Sequence, residues 1–210
     1  MTLALFGCAH APTPKLEMCE SSSRLQDERS AELFRIEKED QADRQGPFDS
    51  INWSKVAPRD LQRRVRVAQI FAEGCFKNAS DYASAAMVFQ HGETADHFFQ
   101  AFLWAREAVK RGDESLRSLV AAALDRYLVQ IGQKQLFGTQ FFSNDGRKLC
   151  IQPVESTFPD SQRIKYVRFN LKEEIKASLK AFGAKQTPKE TQECSSGLKP
   201  SPHGTVPGFW

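Results

Sequence analysis

Long apolar runs and basic stripes are both missing from this 210-residue sequence. After the first few residues, no stretch approaches the ~18 apolar residues that a membrane-spanning helix needs. The 29 basic and 26 acidic residues are intermixed and leave a formal net charge of +3. A nucleic-acid-binding surface concentrates its basic residues on one face. We therefore expect neither an integral membrane protein nor a nucleic-acid partner.

Signatures of metal sites and of common nucleophiles are missing as well. The chain has four histidines, of which His91 and His97 are six residues apart, and it contains no CxxC or other zinc-type spacing. We therefore predict no metal and no other cofactor. No G-x-S-x-G motif occurs, and Thr139 is the only serine or threonine in the polar motifs described below. These absences favour a protein that is not an enzyme.

Cysteine is scarce, and the first one lies in a distinctive context. Leu5-Phe6-Gly7-Cys8 resembles the lipobox of a bacterial lipoprotein, with Cys8 as the residue to be lipidated. The polar, proline-containing stretch after Cys8 suits a tether between a lipid and a domain. The resemblance implies a periplasmic protein whose lipid anchors it, most simply to the outer membrane. The alternative is a cytoplasmic protein with a frayed N-terminus.

The other four cysteines are even in number, which allows three disulfide pairings in an oxidising compartment. They are Cys19, Cys75, Cys150 and Cys194. Four unpaired thiols are the alternative. The sequence does not choose between these possibilities.

Helical spacing dominates the middle of the chain. Apolar periodicity, N-cap residues and terminal glycines predict helices over about 21–45, 59–74, 80–91, 94–111, 113–131, 160–167 and 171–182. In the second of these, the spacing predicts that Leu61 and Val65 face the core. The short link Gly92-Glu93 predicts an antiparallel helical hairpin. Two short strands near 136–152, joined by Asp145-Gly146, predict a small β-hairpin.

We therefore predict a mainly α fold. It is a compact helical-hairpin domain, similar to tetratricopeptide repeats, with about six or seven helices and the small β-hairpin near 136–152. Residues 1–20 are assigned to the lipoprotein signal remnant and tether, and residues 21–182 to a single helical domain. The Pro-, Ser-, Thr- and Lys-rich residues 183–210 lack a core pattern and are predicted to be disordered.

Several polar residues lie where ordinary packing would prefer apolar ones. Asp125 is one helical turn from Ala121 and from Val129, so we expect it to be at least partly buried and to need a partner or several donors. His91 ends its helix, where it either satisfies the last carbonyl groups or binds a ligand. Upstream, Asp40 and Arg44 share a helix face, and the simplest interpretation is a surface ion pair.

The motifs QHG at 90–92, DRYL at 125–128 and FGTQ at 137–140 resemble those of a bacterial family known as domain of unknown function 6624. Asp40, Arg44 and Asp60 resemble its upstream motifs, and the likeness covers about residues 30–182. The resemblance implies a shared site or shared polar core, but no particular activity. That set comprises Gln90, His91, Asp125, Arg126, Gln135, Thr139 and Gln140. Ala123 and Phe102 depart from the family pattern, which tends to have Thr and His there.

Three roles are compatible with this polar set. In the favoured one, a cell-envelope lipoprotein acts as a binding or protein-interaction module for a protein, a peptide or a cell-wall fragment. In the alternative, a hydrolase or transferase uses His91 as its base, with Asp125 orienting the imidazole. In the third, the polar groups only lock helices together, each buried hydrogen bond contributing about 1 kcal/mol.

Overall fold

Seven α-helices and one two-stranded sheet are present in the computed structural model, which describes residues 17–46, 50–143, 148–195 and 197–210. The helices are α1 (Ser23–Ala42), α2 (Trp53–Ala72), α3 (Ala79–Gln90), α4 (Ala95–Lys110), α5 (Arg117–Gln130), α6 (Asp160–Val167) and α7 (Leu171–Ala181). Short 3-10 helices occupy Cys19–Ser21 and Glu114–Leu116. None of the described helices is both long and apolar enough to cross a membrane.

The small sheet pairs β1 (Phe141–Phe142) with β2 (Cys150–Ile151) in antiparallel register, Phe141 lying opposite Ile151. A mainly helical fold with a small β-hairpin is thus confirmed. The turn predicted at Asp145-Gly146 lies outside the described residues.

Helices α3 and α4 form the predicted hairpin. Asn78 caps α3, and it forms a capping box with Asp81. The hydroxyl of Thr94 accepts from the backbone N–H of His97 and caps α4. Between the two helices, a Cβ atom at Gly92 would lie 2.3 Å from the Cβ of His97. The tight link therefore requires glycine at that position.

Helix α2 differs from its prediction in both start and orientation. It begins at Trp53 and contains Pro58, instead of beginning after the proline. Leu61 and Val65, expected in the core, are 56% and 50% exposed. The helix instead buries a face that includes three charged residues, because Asp43 after α1 and the α3–α4 link supply partners for Arg63 and Arg64. The buried residues of this face are Val56, Asp60, Arg63, Arg64, Val67 and Ile70.

The apolar core lies between α3, α4, α5 and the segment that follows α5. Leu124 and Leu128 of α5, Phe102 of α4 and Phe137 are fully buried or nearly so. Small residues such as Ala101 and Ala105 have no exposed surface, which lets the helices approach closely.

The C-terminal residues 183–210 were predicted to be disordered, and this prediction is wrong for the part that the structure describes. Cys194 is disulfide-bonded to Cys150. Backbone bonds join Lys134 N–H to the carbonyl of Lys199 (2.8 Å) and Cys194 N–H to that of Ile151 (2.8 Å). The indole of Trp210 donates to a backbone carbonyl at 2.8 Å. The segment has no helical periodicity because its backbone bonds to a loop and a strand instead.

The N-terminal boundary also shifts. Cys19 is disulfide-bonded to Cys75, and its N–H donates to the carbonyl of Glu73 at 2.9 Å. Residues from about 17 onward therefore belong to the folded domain and not to a tether. Cys8, the predicted lipidation site, lies outside the described residues. Of the three pairings that the sequence allowed, the structure selects Cys19–Cys75 with Cys150–Cys194.

Candidate functional site

Asp125 is completely buried and holds the loop that follows α5. Its carboxylate accepts from the backbone N–H groups of Leu136 (2.8 Å), Phe137 (3.0 Å) and Thr139 (3.0 Å), and from the Thr139 hydroxyl (2.9 Å). Burial raises the pKa of Asp125, and these hydrogen bonds act in the opposite direction. The expected burial and several donors are both present, and three of the four donor groups are backbone N–H groups. Asp125 is therefore a structural residue of this loop.

Gln135 and Gln140 complete the same loop. The Gln135 side chain is fully buried; it accepts from the Gln140 N–H at 2.8 Å and donates to the carbonyls of Gln140 (3.1 Å) and Gln152 (2.6 Å). Gly138 has a φ of +85°, a left-handed conformation that favours glycine, and a Cβ there would lie 2.6 Å from Leu171. Within residues 135–140, Gln135 and Gln140 thus hydrogen-bond to each other.

Arg126 joins this loop to the C-terminal end of α3. Its Nη1 donates to the carbonyl of Gln90 at 2.6 Å, and its Nε donates to the side-chain oxygen of Gln140 at 3.3 Å. The guanidinium lies 5.5 Å from the centroid of the Phe98 ring. Burial, and secondarily the positive charge of Arg44, lower the pKa of Arg126. The Gln90 side chain is itself buried, and its Oε1 has no hydrogen-bond partner among the described residues.

His91 is oriented by Asp40 and not by Asp125. The Nδ1 of His91 lies 2.7 Å from a carboxylate oxygen of Asp40, which is fully buried. Asp40 also accepts from Gln41 (3.0 Å) and Arg44 (2.9 Å). Because an ionised carboxylate only accepts, Nδ1 is the donor and the other ring nitrogen, Nε2, is left as an acceptor in the neutral imidazole. The prediction that Asp125 orients His91 is therefore wrong.

A charged layer between α1 and α2 surrounds this pair. Arg44 bridges Asp40 and Asp60, with 2.5 Å from its Nη2 to the Asp60 carboxylate. Arg63 bridges Asp60 (3.0 Å) and Asp43 (2.6 Å). The interpretation of Asp40 and Arg44 as a surface pair is wrong, because Asp60 of α2 and His91 after α3 pack against the pair. The local pattern of α1 does not show these distant partners.

The charged layer borders a cleft of about 670 Å³, which we call the His91 cleft. It lies where the end of α1, the start of α2, the α3–α4 link, α5 and the end of α7 meet. Its polar lining consists of Arg44, Asp60, His91, Glu93 and Arg126. Its apolar lining consists of Ile51, Trp53, Ala57, Ala181 and Phe182. Glycines 46 and 92 complete it.

The structure thus divides the seven predicted site residues. His91 and Arg126 line the cleft, whereas Asp125, Gln135 and Thr139 belong to the loop, and Gln140 connects the loop to Arg126. Gln90 is buried beside the cleft lining. The cleft residues that sequence reasoning left out of the site are Arg44, Asp60, Glu93 and the apolar lining, and it also left out Asp40, which is buried behind His91. Only the upstream motifs with Asp40, Arg44 and Asp60 pointed to any of them.

No protein-family model matches this chain, and no curated protein or solved structure shows significant similarity to it. The resemblance to family 6624 stays a prediction that rests on the motifs. Among the described residues, no group of three or more histidine, cysteine or acidic side chains is placed to hold a metal ion. The geometry of the cleft is therefore the main guide to function.

Proposed function

We propose that this protein is a ligand-binding module of the bacterial cell envelope and that the His91 cleft is its binding site. The observation that carries the proposal is a cleft of about 670 Å³ whose lining combines charged and apolar side chains. Small-molecule and peptide sites are commonly concave, largely apolar and equipped with a few fixed polar groups. The ligand is a protein segment, a peptide or a cell-wall fragment.

The polar groups of the cleft are held in place before any ligand arrives. Asp40 fixes the ring of His91, and the carbonyl of Gln90 with the amide of Gln140 fixes the guanidinium of Arg126. Rigid groups lose little conformational entropy when a ligand binds, which increases affinity. A polar set with only a structural role would not need to present two of its members to a cleft.

The cysteines support the proposed location. All four cysteines after Cys8 are paired, as Cys19–Cys75 and Cys150–Cys194. Structural disulfides persist in oxidising compartments such as the bacterial periplasm. Together with the lipobox-like Cys8, they support a periplasmic protein that contacts the membrane only through a lipid, at the outer membrane. Labelled palmitate should enter the wild-type protein and not a Cys8→Ala variant; equal labelling of both would remove the anchor.

A steric block tests whether the cleft binds ligands. Ala57 is an exposed residue of α2 that lines the cleft, so Ala57→Trp should fill it without removing a packing contact. Ala31→Trp places the same side chain on an exposed position of α1 and serves as the control. We expect peptides and cell-wall fragments that raise the melting temperature of wild type and Ala31→Trp to have no effect on Ala57→Trp. If every ligand stabilises Ala57→Trp equally, the cleft is not the binding site.

The His91–Asp40 contact of 2.7 Å supports a second function, a hydrolase or transferase. In this alternative, Nε2 of His91 acts as the general base and Asp40 takes the orienting role first assigned to Asp125. Wild-type protein should then turn over a member of an ester or peptidoglycan library, His91→Gln should abolish turnover, and Asp40→Asn should lower kcat. Turnover that survives His91→Gln would contradict this alternative.

A further inference from the structure

We propose that the His91 cleft recognises a free carboxylate attached to an apolar group, as in the C-terminal residue of a peptide, and that Arg126 binds that carboxylate. This inference rests on the proposed binding function and names the class of ligand. Its basis is the distribution of charge around the cleft.

Every other charged group of the cleft lining already has an opposite charge beside it. Asp60 is paired with Arg44 (2.5 Å) and with Arg63 (3.0 Å). Glu93 lies 3.5 Å from Arg64. Arg126, in contrast, has no carboxylate within 4.0 Å among the residues that the structure describes. Among the described residues of the cleft lining, Arg126 is therefore the guanidinium without a matching carboxylate.

The environment of Arg126 disfavours an uncompensated positive charge. The side chain is partly buried, and the charge of Arg44 is close enough to lower its pKa further. A guanidinium taken out of water is stabilised by an anion that accepts its hydrogen bonds. Of its three nitrogens, Nε and Nη1 already donate to Gln140 and Gln90, and no described residue accepts from Nη2. A bound carboxylate would neutralise the positive charge of Arg126 and accept a hydrogen bond from its Nη2.

Helix capping explains only part of this arrangement. The Nη1 bond to the Gln90 carbonyl is a C-terminal cap of α3, which is a structural role for Arg126. A helix C-terminus carries the equivalent of about half a negative charge, and Arg64 already donates to the neighbouring carbonyl of His91 at 3.2 Å. The cap therefore leaves most of the positive charge of Arg126 uncompensated.

The remaining lining selects a monoanion with an apolar part. Asp60 and Glu93 also face the cleft, so a dianion such as a phosphate monoester would meet more repulsion than a carboxylate. In the neutral imidazole, the Nε2 of His91 is an acceptor, which suits the N–H of a peptide bond next to the carboxylate. In the same lining, Ile51, Ala57 and Phe182 offer apolar surface for a side chain. The C-terminal residue of a peptide has a group that matches each of these three contacts.

Paired probes test the inference by isothermal titration calorimetry. Each member of a panel of N-acetyl dipeptides ending in Ala, Leu, Phe or Trp is compared with its C-terminal amide, and phenyl phosphate is the dianion probe. We expect at least one free acid to bind wild-type protein about 10- to 100-fold more tightly than its amide, because the amide loses a charge-assisted hydrogen bond. Phenyl phosphate should bind more weakly than that acid.

Substitution of the arginine supplies the second arm. Arg126→Gln should bind acid and amide alike. Arg126→Lys should keep part of the preference for the acid, because lysine keeps the positive charge but lacks the paired N–H donors of a guanidinium. The control is Arg106→Gln, since Arg106 is also half-buried and lies 5.3 Å from a phenylalanine ring, but outside the cleft lining. It should keep the full preference of wild type.

Three results would overturn the inference. They are equal binding of every acid and its amide by wild type, a preference that survives Arg126→Gln, and tighter binding of phenyl phosphate than of any acid. The comparison on wild-type protein decides the matter even if Arg126→Gln does not fold. A neutral glycan that binds wild type but not Ala57→Trp would keep the proposed function while removing its carboxylate ligand.

Discussion

Asp125→Asn tests whether this buried acid is structural. The carboxylate accepts from the backbone N–H groups of Leu136, Phe137 and Thr139 and from the Thr139 hydroxyl. An asparagine keeps one oxygen and places an NH2 group where the second oxygen was. If the remaining oxygen accepts from the N–H groups of Leu136 and Phe137, the N–H of Thr139 then faces the NH2 group of the asparagine and has no acceptor. The Thr139 hydroxyl can rotate and accept from that NH2 group.

The expected loss of stability follows from these contacts. One buried donor without a partner costs about 1–3 kcal/mol, and the remaining bonds lose their charge assistance, which costs about 1 kcal/mol each. Removal of a buried charge offsets part of this, because burial disfavours the ionised form. The net expectation is a decrease of about 3 kcal/mol in the free energy of unfolding, or about 6–12 °C in melting temperature for a chain of this size.

Urea unfolding followed by circular dichroism, together with a thermal melt, measures both quantities. The control is Asp96→Asn, because Asp96 is exposed at the start of α4; its effect should stay within about 0.5 kcal/mol. If Asp125→Asn unfolds within 1 °C of wild type, the carboxylate does not hold the loop and the reasoning fails. A stable Asp125→Asn variant that has lost ligand binding would return Asp125 to the site.

Two further predictions concern stability. The Cys150–Cys194 bridge closes a loop with a sequence separation of 44, for which the chain-entropy relation gives a stabilisation of about 4 kcal/mol. A Cys150→Ser, Cys194→Ser double variant should therefore melt well below wild type, and protease should cleave its C-terminal segment first. Unchanged cleavage would contradict the packing described for that segment. A hydrogen bond from Arg66 lowers the pKa of Glu32, so this contribution is present above the unfolded-state pKa of about 4.3 and is lost as pH falls through the lower folded-state value. Urea midpoints from pH 7 to pH 3 should fall less steeply for Glu32→Gln than for wild type, and equal slopes would show that the pair is not coupled to folding.

The helices were predictable because they depend on local patterns. Asn78, Thr94 and Gly92 lie at helix ends that the sequence located to within a few residues. Even there, propensity placed Pro58 before α2, although the structure accommodates it inside the helix. Local pattern thus gives the existence and type of a helix more reliably than its exact ends.

The orientation of α2 shows where local pattern fails. Leu61 and Val65 have the spacing of a core stripe, yet they are exposed, while Asp60 and Arg63 are buried. Apolar periodicity assumes that the buried face is the apolar one. A face that carries arginines can be buried instead when a neighbouring segment presents a carboxylate to it, as Asp43 at the C-terminal end of α1 does.

The prediction of disorder for the C-terminal segment fails for a related reason. Its stability depends on the Cys150–Cys194 bridge and on hydrogen bonds to residues far away in the chain, such as those from Ser201 N–H to Glu155 (2.7 Å) and from the Ser201 hydroxyl to the Lys134 carbonyl (2.7 Å). Neither feature leaves a periodic signal. Low hydrophobicity indicates disorder only when no such partners exist.

The sequence by itself determined the mainly helical fold, the α3–α4 hairpin and the polar residues that packing does not explain, since spacing, caps and residue type depend on near neighbours. Only the tertiary structure decided which polar residues meet. It brought the carboxylate of Asp125 to the backbone N–H groups of the loop after α5, and it paired His91 with Asp40, 51 residues away. It also left Arg126 without a carboxylate among the described residues. Such pairings depend on how whole helices pack, because contacts between distant residues are set by the fold and not by their spacing along the chain.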